Sequence, residues 1–166
     1  MSSGHVTHAA QEGVHVLRYF GTVNYTLAPG LQRFLEQLIH EDKVSGLVFD
    51  LTQAESLDST NLGLMARANE EAHDLGAANS VIISSNEDID AVLRSMGFEQ
   101  TFELFRAGSA FPSANDEAIA VGVTCASELQ HTMLEAHRAL VRMSEAGRLE
   151  FEPVVQCLER AGREFS

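Results

Sequence analysis

Basic residues are scarce in this chain: 11 lysines and arginines stand against 24 aspartates and glutamates, for a formal net charge of −13. Binding nucleic acid takes a basic footprint that displaces counterions, so that class is excluded. Docking on anionic lipid is disfavoured for the same reason. Cysteine is almost as rare, with only Cys125 and Cys157. Two cysteines do not build a disulfide framework and read as free thiols of a reducing cytoplasm. No apolar run approaches the length of a membrane span. The opening stretch, MSSGHVTHAAQEG, lacks both a cationic start and an apolar segment, so no signal peptide is expected. A glycine-rich phosphate loop, a nucleophile elbow and internal repeats are also missing, and no constellation of nucleophile, base and oxyanion donors is visible. The chain therefore reads as a regulatory or binding protein rather than an enzyme. Partners with basic surfaces would be drawn to it electrostatically.

What is present is a core. The chain has 166 residues and is 45% hydrophobic, enough for one domain with an appendage. Residues 5–10 and 14–20 pattern as a hairpin of strands across Gln11-Glu12-Gly13. A helix follows, with Thr26 as a candidate cap, Pro29 in its first turn and an apolar face of Leu31, Phe34, Leu35, Leu38 and Ile39. Residues 47–51 form the next strand. Residues 80–84 and 101–105 are two more, separated by a helix with Ile89, Val92, Leu93 and Met96 on one face and Gly97 as its stop. The order ββαβαβαβ predicts an α/β fold, a mixed sheet flanked by helices.

The most informative stretch is GLVFDLTQAESLDSTNLG, residues 46–63. A buried strand around Asp50 gives way to a short polar turn and then to Asp58-Ser59-Thr60-Asn61. Leu62, Met65, Ala66, Asn69, Ala72 and Leu75 continue at helical spacing to Gly76, a suitable residue just past a helix end. Ser59 and Thr60 thus lie at a strand–loop–helix junction, where helix N–H groups lack intrahelical partners. A phosphoryl group there would meet free donors and the positive end of the helix dipole. A capping role for the same serine is the plainer alternative.

Taken together, the strand with Asp50, the DSTNLG junction, the helix ending at Gly76 and the later strand, helix and Gly97-Phe98 resemble the STAS family of anti-sigma factor antagonists, over roughly residues 12–106. The resemblance implies that Ser59 is a phosphoacceptor. It implies two partners: an anti-sigma factor that is also the serine kinase, and a metal-dependent serine phosphatase. It implies that the unphosphorylated form binds the anti-sigma factor, that phosphate at Ser59 releases it, and that neither cofactor nor bound metal is needed. Asn24, Asp58, Thr60, Asn61 and Leu62 are the expected partner interface, with the loop of Asn24 beside the phosphoacceptor. Asn61 stands where the family has Gly, and Asn is the common substitute where a positive φ is required. The runner-up function is a STAS-like scaffold or sensory module that works without phosphorylation. Asp50 at a strand end resembles the acceptor of a receiver domain, but the acidic pair and lysine that such a domain needs are missing.

The domain is expected to span residues 1–106, a linker 107–115 and a helical extension 116–166. In the extension Ile119, Val123, Ala126, Leu129, Met133, Ala136, Leu140 and Met143 recur at steps of three and four. That predicts one helix over 118–143, ended by Gly147, and a shorter one from Pro153. Such a stripe must be buried, by folding back or by forming a homodimer, and the DSTNLG surface is expected to stay open. His137 on the long helix is expected to be a solvated surface residue; His5 and His8 are spaced like ligands but lie in the N-terminal stretch, and metal binding is not expected there.

Overall fold

The computed structural model describes residues 3–107, 116–122 and 124–164. The elements are β1 (His5–Gln11), β2 (Val14–Val23), α1 (Ala28–Glu41), β3 (Gly46–Leu57), α2 (Ser59–Asp74), β4 (Val81–Ser84), α3 (Glu87–Ser95), β5 (Glu103–Arg106), β6 (Glu117–Ala118), α4 (Ala126–Met143) and α5 (Glu145–Glu164). The first eight follow the expected ββαβαβαβ order. The strands form one mixed sheet in the order β5-β4-β3-β2-β1-β6. β1 is antiparallel to β2 and to β6, whereas β2, β3, β4 and β5 run parallel. Parallel strands need covered faces, and Leu17, Tyr19, Leu47, Phe49, Leu51 and Ile82 are all buried within the core.

Several boundaries differ from the sequence expectation, three of them substantially. β3 continues to Leu57 because β2 is long enough to pair with it, Val23 lying opposite Leu57. The polar run Thr52–Ser56 disguised this extension. α4 begins at Ala126 rather than 118, because Glu117 and Ala118 pair with His8 and Thr7 at the sheet edge. α5 begins at Glu145, so Pro153 lies inside it and Gly147 in its first turn. A Cβ at Gly147 would sit 3.0 Å from the Leu140 carbonyl carbon, so glycine here permits the tight turn between α4 and α5 and does not end α4. Ser144 caps α5, its hydroxyl accepting from the Gly147 N–H at 2.9 Å and donating to the Met96 carbonyl at 2.7 Å. The linker expected at 107–115 lies, from 108 onward, outside the described residues, as does Val123.

A buried ion-pair cluster ties the sheet to the chain that leads into the hairpin. Arg18 on β2 meets Asp50 on β3 at 2.7 Å and Asp116 at 2.9 Å. Asp50 also accepts from the Thr52 N–H and hydroxyl, at 2.9 and 2.6 Å, so its carboxylate is occupied structurally. Removing one member would leave a buried charge without its counter-charge, a loss typically of about 3–5 kcal/mol. Beyond Asp116 the chain crosses α1, where the Val121 carbonyl accepts from Arg33 at 2.8 Å, and Arg33 also pairs with Glu128 of α4. No helix among the described residues is long and apolar enough to cross a membrane.

Between β1 and β2, His8 and His15 share a hydrogen bond of 2.9 Å between Nε2 and Nδ1. Burial lowers both pKa values. For His8 the charge of His15 adds to this, while Asp42, Glu117 and Asp116 oppose it; for His15 only Asp42 opposes. A histidine whose folded pKa is depressed is held neutral, so its stabilising effect is complete above the unfolded pKa near 6.5 and fades as pH falls below it. The thermal midpoint is therefore expected to fall on going from pH 7.5 to 5.5. His15→Gln should flatten that decline, and an equally steep decline in the variant would show that the pair does not contribute.

Candidate functional site

The junction after β3 is built around a capped helix start. Asp58 is extended (φ −89°, ψ 172°) and its carboxylate accepts from the Asn61 N–H at 3.0 Å, so Asp58 and not Ser59 is the N-cap of α2. Such a cap contributes about 1 kcal/mol. The same oxygen accepts from the Asn61 side chain at 2.9 Å, and that amide also reaches the Val23 carbonyl at 3.4 Å. Asn61 is fully buried and helical. The positive φ anticipated for it is not found, and among described non-glycine residues only Glu12 has one. Asparagine here ties the cap of α2 to the end of β2. Asn24 caps its own 3-10 turn, Tyr25–Leu27, by accepting from the Thr26 N–H and hydroxyl at 3.0 and 2.5 Å. The Val23 carbonyl, rather than the Asn24 side chain, is what the structure brings to the junction. Thr60 and Leu62 are buried at 3% exposure each, and Asp58 is half-buried.

Ser59 is half-buried and has a partner that sequence reasoning did not supply. Its Oγ lies 2.9 Å from Nε2 of His137 on α4. The other ring nitrogen of His137 lies 2.7 Å from the Met133 carbonyl. A carbonyl only accepts, so Nδ1 carries the hydrogen and Nε2 receives the Ser59 hydroxyl proton. His137 is 3% exposed and its ring lies 5.4 Å from that of Phe151 on α5. The expectation of a solvated His137 is thus corrected. The signal was available: position 137 is four past Met133 and three before Leu140, inside the apolar stripe of α4.

The expectation that the DSTNLG surface stays open is corrected as well. α4 folds back over α2. Ser59, Gly63, Ala66 and Glu70 follow one another at steps of four, three and four, which places them on one face of α2. Gly63 is what lets the helices meet. A Cβ there would lie 2.6 Å from the Ala136 carbonyl carbon and 2.8 Å from the Ala136 Cβ. Ala136, Ala139 and Leu140 are consequently buried completely or to within 1%. At the far end of the contact Arg142 pairs with Glu70 at 3.0 Å. On its other side α4 is held to α5 by Arg138 and Glu159, also at 3.0 Å. One flank of Ser59 remains beside a groove of about 470 Å³, lined by Leu57, Leu62, Val92, Met96 and Phe151 with Glu150 at its rim.

A six-stranded mixed sheet with a hydroxyl at the start of α2, ahead of a strand–helix–strand unit, defines a small mixed α/β architecture. The profile of the STAS domain matches residues 5–109, and the chain belongs to that family. No curated protein sequence matches it. Among solved structures it is similar to an anti-sigma factor antagonist from Mycobacterium paratuberculosis, with 21% identity and a TM-score of 0.54 over 62% of this chain and 86% of that one. The anti-sigma factor antagonist SpoIIAA in its unphosphorylated form is similar at 13% identity and a TM-score of 0.54, covering 59% and 84%. The Bacillus cell fate determinant SpoIIAA in the phosphorylated form aligns at 13% identity and a TM-score of 0.51, covering 59% and 87%. These identities speak to the fold. Because 84–87% of each neighbour is covered by about three-fifths of this chain, the shared fold is nearly complete in roughly the length of the sheet domain.

Gly63→Ala sets two effects against each other. Alanine gains about 1 kcal/mol of helix propensity. A methyl pressed against the backbone of Ala136 costs up to about 3 kcal/mol, because backbone cannot swing aside as a side chain does. Steric conflict should win, and urea denaturation of the full chain should show a net loss of about 2 kcal/mol. A gain in stability would mean that α4 does not approach α2 this closely.

Proposed function

We propose that the protein is an anti-sigma factor antagonist of a partner-switching pathway, a cytoplasmic binding protein and not an enzyme. In its unphosphorylated form it binds and sequesters an anti-sigma factor that is also a serine kinase. Phosphorylation at Ser59 releases that partner, and a metal-dependent serine phosphatase restores the binding form. The observation that carries this reading is a half-buried hydroxyl at the first residue of α2 in a STAS domain, beside a groove and next to an Asp cap. The names of the structural neighbours support it, two being called anti-sigma factor antagonists and one being described in a phosphorylated form.

The physical logic is electrostatic. A phosphate on Ser59 adds about −1.5 to −2 charges beside Asp58. The helix start offers it N–H donors and a favourable dipole, so the fold tolerates it. A partner packed over the same junction would have to desolvate that charge next to an existing carboxylate and would lose affinity. Metal or cofactor chemistry is not invoked; among the described residues no three His, Cys, Asp or Glu side chains converge as a metal site.

A second reading, a STAS-like scaffold or sensory module without phosphorylation, is favoured by one observation: the Ser59 hydroxyl is already engaged by His137. Incubation of the full chain with the cognate kinase and ATP, followed by phosphosite mapping, separates the two. Ser59→Ala should abolish phosphate incorporation while partner binding stays strong, and incorporation at the unaltered level would move the acceptor elsewhere. Ser59→Glu should weaken binding to the anti-sigma factor by about 1–3 kcal/mol in calorimetry; an unchanged affinity would place the contact surface away from this junction.

A further inference from the structure

We propose that the α4–α5 hairpin is a built-in competitor: it occupies the face of α2 that a partner takes, so that partner binding and modification of Ser59 both require the hairpin to leave. This rests on the reading of Ser59 as the switch residue. It adds a closed state and names the element that closes it.

Four observations carry it. The contact includes the candidate acceptor, since His137 accepts a hydrogen bond from the Ser59 hydroxyl at 2.9 Å. A phosphoryl group on Oγ takes the place of the hydroxyl proton, so modification removes the hydrogen bond to His137. Next, the contact is lined by small residues. Gly63 lies against Ala136, and Ala66 and Ala139 are both buried. Third, the ties at its edges are of a reversible kind. Arg142–Glu70 and Arg33–Glu128 are largely exposed ion pairs, and exposed pairs add little. Last, the STAS profile ends at residue 109, before α4 begins, so the hairpin lies outside the part of the chain that the profile matches.

The hairpin itself is internally coherent. Arg138 joins Glu159 at 3.0 Å, Ser144 caps α5, and Phe151 backs His137. It can therefore leave α2 as a unit, pivoting where Ser144 touches Met96 and where residues 119–122 lead back to the sheet edge. α2 then presents Ser59, Gly63, Ala66 and Glu70 as one open face. The free energy of seating the hairpin is subtracted from the affinity of any partner that displaces it.

The test uses the full chain as it exists, in its natural sequence and as Ala139→Glu, which puts a carboxylate into the centre of the α2–α4 contact. Hydrogen exchange read by mass spectrometry should show amides 126–143 of α4 and 62–70 of α2 exchanging faster together in the variant, by about tenfold or more, while β2 and β3 keep their protection. Loss of protection in the sheet at the same rate would make the hairpin part of one cooperative core and overturn the inference. So would acceleration of α4 alone. His137→Ala, which removes only the latch and leaves the small-residue contact, should give the same pattern at smaller amplitude; no change in that variant would remove His137 from the account. With the cognate serine kinase and ATP, the initial rate of phosphate incorporation at Ser59 should be about tenfold higher in Ala139→Glu than in the natural chain. Equal rates would overturn the inference. Absence of phosphate from Ser59 in both forms would instead refute the switch reading, and hydrogen exchange alone would then decide whether the hairpin seats and leaves.

Discussion

The close approach of α4 to α2 at Gly63 is the constraint on which the functional arrangement depends. Any larger residue at 63 would hold the two helices apart, because its Cβ would meet backbone atoms of Ala136. With the helices together, the next position on α4 is His137 and the residue one turn before Gly63 on α2 is Ser59, and the two meet at 2.9 Å. One glycine thereby sets the environment of the candidate acceptor four residues away. The same approach buries Ala136, Ala139 and Leu140 and satisfies the apolar stripe of α4 within the chain, so a homodimer is not required to cover it.

The path that brings α4 there is fixed on the sheet, where Asp116 meets β2. Arg18, Asp50 and Asp116 are buried together, and the Thr7 hydroxyl adds a hydrogen bond of 3.1 Å to Asp116. Buried charges demand their partners, so Asp116 cannot readily depart from the sheet even if the hairpin does. Glu117 and Ala118 then add the edge strand β6, and Val121 runs over Gly30 of α1, where a side chain would again collide with backbone. The extension is thus anchored firmly at its root and lightly at its tip. That asymmetry is what a displaceable element needs: the hairpin stays close to α2 when released and can return to it.

Much of the sheet domain was legible from local pattern. β-branched and aromatic strands, the helical period of Leu31 to Ile39, Gly76 at a positive φ of 99° and Gly97 at 81° each follow from side-chain and backbone preferences that act over a few residues. The DSTNLG junction was legible for the same reason, being a capped helix start after a buried strand. What was not legible depends on distant pairing. Thr52–Ser56 looks like a turn by composition and is strand because β2 lies alongside. Asn61 resembles a substitute for a positive-φ glycine and is instead a buried helical residue, because its amide has both Asp58 and Val23 to bond. His137 looks like a surface residue by chemical type and is buried because Ser59 and Met133 satisfy both ring nitrogens. Pro153 reads as a helix start and lies inside α5, since the capping signal at Ser144 comes from a serine with no acidic partner three residues on.

The seat of the hairpin is the point on which the account turns, and its position can be measured in solution. Cys157 on α5 and Glu103 on β5 are both exposed. With Cys125→Ser and Glu103→Cys, spin labels at 103 and 157 report the distance between sheet and hairpin by pulsed electron resonance. The account predicts a single narrow distance distribution for the otherwise natural chain, which broadens to longer distances when Ala139→Glu unseats α4. A broad distribution in the chain without that substitution would show that the hairpin does not rest on α2, and would contradict the closed state from which everything said of Ser59 and His137 follows.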